Sequence, residues 1–418
     1  MHCQLFRLSA FVFALAAASS VASPRLSLDE AQRLASRDAP QVDAQLAVLR
    51  AAQQASISAG EQSDPKLIVG IDNLPVDGAD RFNLTRDFMT MRKIGFMQEF
   101  TREEKLGLRR DRAEAEVRKE TAMLSVAQVN LRRDVALAWI DRYFAERLIE
   151  LLKELSREGE LQIATADAVL AGGKGQVADP FAARLALAQL GDRVIDAGRQ
   201  HTRAQANLAR WIGIAAKQPL DAAPAFDQLT LHSRDLGKNI EFHPHLAVYV
   251  PLQAIAESEV RQAQAASKPD WSLEVTYAQR GPAFPNMLSV GVRIDLPIFQ
   301  SRRQDPAIAS KVALVDQVRA QAEDARRAQT AEFEGMLADW DAAKTRVQRY
   351  ATDLVPLALQ RAEVALATYR GGKSELTPVL EARKGEIETR VNHLQAQGEM
   401  ARAWAYLNFL LPASKVQP

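Results

Sequence analysis

Gly372-Lys373-Ser374 matches the last three positions of a phosphate loop, G-x-x-x-x-G-K-[ST], whose backbone amides cradle phosphate oxygens. The leading glycine of that motif would be residue 367, which is alanine, and the preceding stretch has a helical pattern where a phosphate loop follows a strand. Nucleotide chemistry is therefore excluded. Met89, Met91 and Met97 fall together in a strand-like stretch, and thioether sulfur suits monovalent copper or silver, so they are the metal-contact candidates. His243 and His245 flank Pro244 like a ligand pair, but Pro244 repeats Pro40 at a helix start, so a cap is the better reading. No zinc-spaced cluster and no nucleophile motif is present, and neither catalysis nor a cofactor is expected.

The chain that must position these residues has 418 of them, ample for a large core. Aromatics are only 6%. Alanine, glutamine, glutamate, arginine and leucine fill the long middle segments, the profile of long helices and coiled coils. Arg7, the apolar run Leu8 to Ala18 and the small residues Ser20-Val21-Ala22 read as a secretory signal over 1–22. The lone cysteine, Cys3, precedes that run, so the exported chain has no thiol for disulfides or thiolate chemistry. A net charge of +1 argues against a nucleic-acid partner. No later stretch holds a long enough apolar run for a membrane-spanning helix, so any crossing is made by strands.

The sequence repeats itself. Pro40 and Pro65 recur as Pro244 and Pro269 at an offset of 204, bracketing helical patterns in each half. At an offset of 199, Gly172-Gly173-Lys174 recurs as Gly371-Gly372-Lys373, Ala183-Arg184 as Ala382-Arg383, and Leu208 as Leu407. Each half reads helix, two strands, long helix, Gly-Gly-Lys turn, long helix. The expected divisions are a first repeat over 23–213, with strands at about 66–100 and a tip near 172–179, a linker over 214–243, a second repeat over 244–412, with strands at about 270–297 and a tip near 371–378, and a tail over 413–418.

The strands alternate with period two. Trp271, Leu273, Val275 and Tyr277 interleave with Ser272, Glu274, Thr276 and Ala278, and Leu288, Val290, Val292 and Ile294 with Ser289, Gly291 and Arg293. An ordinary hairpin with one face on a core fits this pattern. So does a transmembrane barrel, apolar toward lipid and polar toward a lumen, and four strands cannot close one alone. In the barrel reading Met89, Met91, Lys93, Met97 and Glu99 face the lumen while Arg92 points at lipid. Either Arg92 lies near a headgroup zone, or a bulge shifts the register there.

The segment from about 304 to 370 carries a heptad seam: Phe333, Met336, Trp340, Ala343, Val347, Tyr350, Leu354 and Leu357. As a helix it runs about 100 Å. The glycine pair then reverses the chain into a returning helix from about 378 to 409, with Pro378 in its first turn.

A leader, two repeats, strand hairpins and long helical hairpins resemble the TolC-type outer membrane efflux family across nearly the whole exported chain. Specific marks are Tyr369 and Gly372 followed by Val379 to Ala382, the Asp295 to Phe299 strand exit, and the Asn207 to Gly213 helix end. Leu84 to Phe100 and the following Glu104 to Arg110 look most like the heavy-metal, RND-associated branch.

The resemblance implies an α+β membrane protein, a homotrimer whose strands, four per chain, close one outer membrane β-barrel continued by a long periplasmic α-helical coiled-coil barrel. It implies an exit duct of a tripartite, proton-driven efflux system, with a periplasmic membrane-fusion adaptor, an inner membrane RND-type pump and outer membrane lipid as partners, and heavy-metal cations as cargo. Drug efflux and type I protein secretion share the fold, and a soluble periplasmic coiled-coil adaptor or scaffold is the alternative from another class.

The resemblance also implies a periplasmic gate at Tyr369, Glu381 and Asp179. Pro378 and Ser374 stand where an acid and an arginine are expected, and Asp179 equally suits a helix start. Gly172, Gly173, Lys174, Gly371, Gly372 and Lys373 are the candidates for adaptor contact, unless they only reverse the chain.

Overall fold

The computed structural model describes residues 25–229 and 243–410; the expected signal segment, much of the linker and the tail lie outside the described residues. In the first half, α1 (Leu28–Arg37) starts at an N-cap serine, with Ser27 Oγ accepting from Glu30 N at 3.1 Å. α2 (Pro40–Ser58), β1 (Lys66–Asp72), β2 (Met91–Phe100), α3 (Glu103–Ala171) and α4 (Asp179–Ile212) follow, and a 3₁₀ turn closes the half at Gly213–Lys217. The second half repeats the plan with α5 (Pro244–Ala247), α6 (Tyr249–Ala265), β3 (Trp271–Gln279), β4 (Met287–Ile294), α7 (Gln300–Arg349), a π-helical turn (Tyr350–Leu354), α8 (Val355–Arg370) and α9 (Thr377–Asn408). The 69 residues of α3 make a rod about 100 Å long. No described helix is long and apolar enough to cross a membrane.

The strands form one antiparallel sheet in the order β1-β2-β3-β4, the central β2–β3 pair joining the two halves. Pairing is continuous along β2, from Arg92 opposite Ile71 and Gln279 to Phe100 opposite Trp271. No bulge intervenes, so Arg92 keeps the face that Ile94 and Phe96 share. That face carries Leu67, Val69, Ile71, Leu288, Val290, Val292 and Ile294 as well, all exposed. The other face bears ion pairs, Lys93 with Asp72 at 2.9 Å and Lys66 with Glu99 at 2.8 Å. Phe100 and Trp271 stack at 4.3 Å where the sheet meets the helices, as interfacial aromatics do in membrane barrels. β1 and β4 pair with nothing further among the described residues, so the sheet has two open edges.

The helices form a single row. Beside the sheet its order is α2–α3–α6–α7, and away from it α4–α3–α9–α8. Apolar side chains left exposed sit mainly on the edge helices: Val48 and Ile57 on α2, Val312 and Leu314 on α7, Phe181, Leu185 and Ile195 on α4, Leu357 and Val364 on α8.

The π turn corrects the expected heptad. Pro356 has no N–H and its ring crowds the carbonyl four residues earlier, and the rod absorbs the conflict in a wide turn in which Val355 N donates to Tyr350 O. One extra residue rotates the remainder of the rod by about 100°. Phe333, Trp340 and Ala343 are buried as the heptad requires, but Leu357 is 60% exposed and the seam resumes at Ala362 and Tyr369.

The main core lies at the middle of the row. Three tryptophans there donate their indole N–H to loop carbonyls: Trp139 to Leu26 O at 3.1 Å, Trp340 to Phe226 O at 2.9 Å and Trp404 to Gln228 O at 2.8 Å. Each pins a non-helical segment whose carbonyl would otherwise be stranded in an apolar cluster. At the edge of this core His243 is the N-cap of α5, its Nδ1 accepting from His245 N at 3.3 Å, and its ring stacks on His245 at 5.3 Å. The pair is thus a helix start.

Burial, with His245 and Arg133 nearby, pushes the His243 imidazole down to about 4. A depressed pKa contributes stability that is present above the ordinary imidazole range and lost as pH falls through the folded value. Thermal stability of the purified protein is expected to fall between about pH 6.5 and about pH 4. His243→Asn keeps a cap acceptor without the titration, so it should flatten that fall; an unchanged profile would remove His243 as its source.

Candidate functional site

The two helical hairpins end side by side, and their turns are built alike. In the first, Gly172 N donates to Ala168 O, Gly173 N to Leu170 O and Lys174 N to Val169 O, at 3.0, 2.9 and 3.1 Å. In the second, Gly371, Gly372 and Lys373 donate to Ala367, Tyr369 and Thr368 at the same three distances. Gly173 and Gly372 both sit at φ +72°, the left-handed conformation that closes a helix end and that other residues enter at a cost. The turns touch: a side chain on Gly372 would stand 3.3 Å from Lys174 Cδ, and Gln176 Nε2 donates to Glu375 Oε1 at 3.3 Å. Gln176 and Glu375 are themselves equivalent positions of the two halves.

One bond breaks this symmetry. Tyr369 Oη donates to Asp179 Oδ2 at 2.9 Å, and the same carboxylate oxygen accepts from Gln176 N at 3.0 Å. Both side chains are buried, Tyr369 at 1% exposure, inside a small cluster with Ala166, Ala183, Leu376 and Val379. Burial and the adjoining carboxylate push the phenol up to about 12, so it stays a donor at any physiological pH. Asp179 is also the first residue of α4, so the helix-start role and the tyrosine contact coexist in one carboxylate. Glu381 lies apart. It is exposed on α9 beside a hollow between α3, α4 and α9, and it makes no hydrogen bond or ion pair among the described residues.

Two turns along α9 from this bond lies a charged knot. Glu386 is fully buried and accepts from Arg383 Nη1 at 2.6 Å, while Arg383 also reaches Glu158 on α3 at 2.9 Å and Arg390 reaches Glu154 at 2.8 Å. The knot fastens α9 to α3. Its signal was present in the spacing Arg383, Glu386, Arg390, which places all three on one helical face.

The methionines are not brought together. Met89 lies in the loop ahead of β2, not on the strand, and Met91 and Met97 stand about 20 Å apart along it. Met97 Sδ accepts from Arg293 Nη1 at 3.6 Å, and a guanidinium on the sulfur repels a metal cation. No group of three or more His, Cys, Asp or Glu suited to a metal ion occurs among the described residues.

No curated protein sequence matches the chain. The fold, by contrast, is that of solved channels. The outer-membrane channel OprN aligns at 16% identity over 94% of this chain and 91% of its own, with a TM-score of 0.77. VceC, an outer membrane protein of Vibrio cholerae, aligns at 18% over 92% and 95%, with a TM-score of 0.76. CusC aligns at 16% over 91% of each chain, with a TM-score of 0.75. Residues 241–412 match the family described as outer membrane efflux protein. The first half repeats the plan of that matched second half, and the whole chain shares the fold of these outer membrane channels.

Proposed function

We propose that this protein is the exit duct of a tripartite efflux system, assembled as a homotrimer. The observation that carries the assembly is the pair of open edges. The outer edges of β1 and β4 are unpaired among the described residues, and the helices that border the row carry most of the exposed apolar side chains. Unpaired backbone groups are not tolerated in lipid, so a sheet of four strands with a lipid-compatible face needs other copies to close it. A head-to-tail ring joins β4 of one copy to β1 of the next and α8 to α4 along the same seam. Three copies make a barrel of ordinary size. The two repeats, 23–213 and 244–412, are the structural units of this reading.

The helical tips are the periplasmic gate. Tyr369 and Asp179 form its latch, tying the second hairpin of a protomer to the first, and Glu381 adds acidic charge that favours cations in a narrow tunnel. The turn residues Gly172, Gly173, Lys174, Gly371, Gly372 and Lys373 present two lysines and an exposed backbone to a periplasmic adaptor, which links the duct to an inner membrane RND-type pump. Heavy-metal cations are the cargo; the support is the similarity of Leu84 to Phe100 to that branch. The lumenal sulfur engaged by Arg293 suits a passage that does not retain them.

Tyr369→Phe removes the donor of the latch and Asp179→Asn removes the charge of its acceptor, both keeping its shape. Hydrogen bonds to charged groups are worth about 1.5–3 kcal/mol, so each change should raise single-channel conductance of the isolated protein several-fold. The double variant should add little, because both changes act on one bond. Unchanged conductance would take both residues out of the gate.

A strain lacking the gene should lose tolerance to one group among Cu, Ag, Zn, Co and Cd while keeping its tolerance to hydrophobic drugs. Sensitivity to drugs alone, or to nothing, would reject the metal cargo and leave the duct.

A further inference from the structure

Arg92 stands on the lipid-facing side of the sheet, in the same row of β2 as Ile94 and Phe96. A charge there is strongly disfavoured at the middle of a bilayer and nearly neutral at its edge, so its height decides whether it is tolerated. The height follows from the register. Phe100, stacked on Trp271, marks the periplasmic rim, and Arg92 lies eight residues along β2 from it. At about 3.3 Å per residue and a tilt of about 40°, Arg92 rises about 20 Å above that rim, close to the far side of an apolar band about 25 Å tall. This is the end where the sheet gives way to the loops 73–90 and 280–286, away from every helix.

The row changes character at that height. Arg92 pairs across the strands with Gln279, which is exposed and whose side chain, like that of Arg92, makes no hydrogen bond or ion pair among the described residues. Tyr277, on the row below, turns its hydroxyl upward to accept from Asn286 Nδ2 at 2.7 Å. The loops behind the row are held against each other. Arg280 donates to the Phe88 carbonyl, and Gly281 lies on the Thr85 carbonyl with no room for a side chain. The Arg92 and Gln279 side chains, directly opposite and roughly 5 Å apart at Cβ, therefore stand as two unengaged donors on a braced rim. They sit where the headgroups of the outer leaflet begin.

From this juxtaposition we infer that Arg92 and Gln279 form a site for the phosphate of an outer-leaflet glycolipid. A guanidinium fork matches phosphate oxygens with two parallel hydrogen bonds, and the neighbouring amide supplies a third donor. The acyl chains of the same lipid lie down the apolar strip formed by Ile71, Ile94 and Phe96. One site per protomer results. The inference rests on the outer membrane location, and its test does not, because binding is read on detergent-solubilised protein.

The test incubates the assembled full chain with bisphosphorylated lipid A, with the same lipid stripped of its phosphates, and with inorganic phosphate, and counts bound molecules by native mass spectrometry. Arg92→Gln should lower the retained phosphorylated lipid by about tenfold and Gln279→Ala by about twofold to threefold, with Arg92→Lys in between. Dephosphorylated lipid should bind weakly and equally to all forms, and inorganic phosphate should not be retained. Should Arg92→Gln fail to assemble, Gln279→Glu places a repelling carboxylate in the row with the arginine intact, and the same tenfold loss is expected. Phosphorylated lipid held equally by the variants and the unchanged protein would overturn the site. Retention of the dephosphorylated form equal to that of lipid A would do the same, and retention of inorganic phosphate alone would overturn the lipid as its ligand.

Discussion

A sheet that meets lipid on one face must leave no backbone donor or acceptor unpaired, and four strands with two open edges do not satisfy that condition. Much else in the chain depends on it. The same two edges run down into the helices, where the border members α2, α7, α4 and α8 keep apolar residues exposed, while α9, inside the row, has none of its large apolar side chains exposed. Closure of the sheet and closure of the helical row are one requirement met along one seam. In the proposed ring the open edges become the subunit boundary, and the interior core at Trp139, Trp340 and Trp404 fixes how each protomer presents it.

The tips have a different balance of forces. Their turns are nearly identical in backbone bonding, so symmetry alone would leave both hairpins equally free to move. Tyr369 and Asp179 remove that equivalence with a single buried bond between the halves. The π turn at Tyr350 to Leu354 sits on the second hairpin only, while α3 runs through the corresponding region unbroken. The Tyr369–Asp179 bond and the Glu386 knot hold α8 and α9, the helices that flank the second tip turn, to the first hairpin.

Much of this was legible in the residues. Period two in Trp271 to Ala278 marks a strand wherever it sits, and glycine pairs at a fixed offset mark equivalent turns, because both signals are local. The latch was only half legible. Tyr369 and Asp179 are 190 positions apart, and nothing in either neighbourhood says that they meet; the family resemblance named both without pairing them. Glu381, named on the same ground, is set apart from them. The heptad beyond Tyr350 failed because Pro356 is visible as a breaker while the turn that absorbs it is decided by packing along the rod. Met89 falls just outside a strand that begins two residues later, a boundary that alternation does not define.

The measurement that bears most directly on the account is edge-to-edge cross-linking in outer membranes. The sequence has a single cysteine, Cys3, so cysteines placed at Ile68 in β1 and at Ser289 or Gly291 in β4 give a clean signal. A closed ring of copies predicts oxidation to covalent dimers and trimers, ending at three chains. Cross-linking confined within single chains, or no cross-linking at any of these positions in membranes that hold the protein, would contradict it.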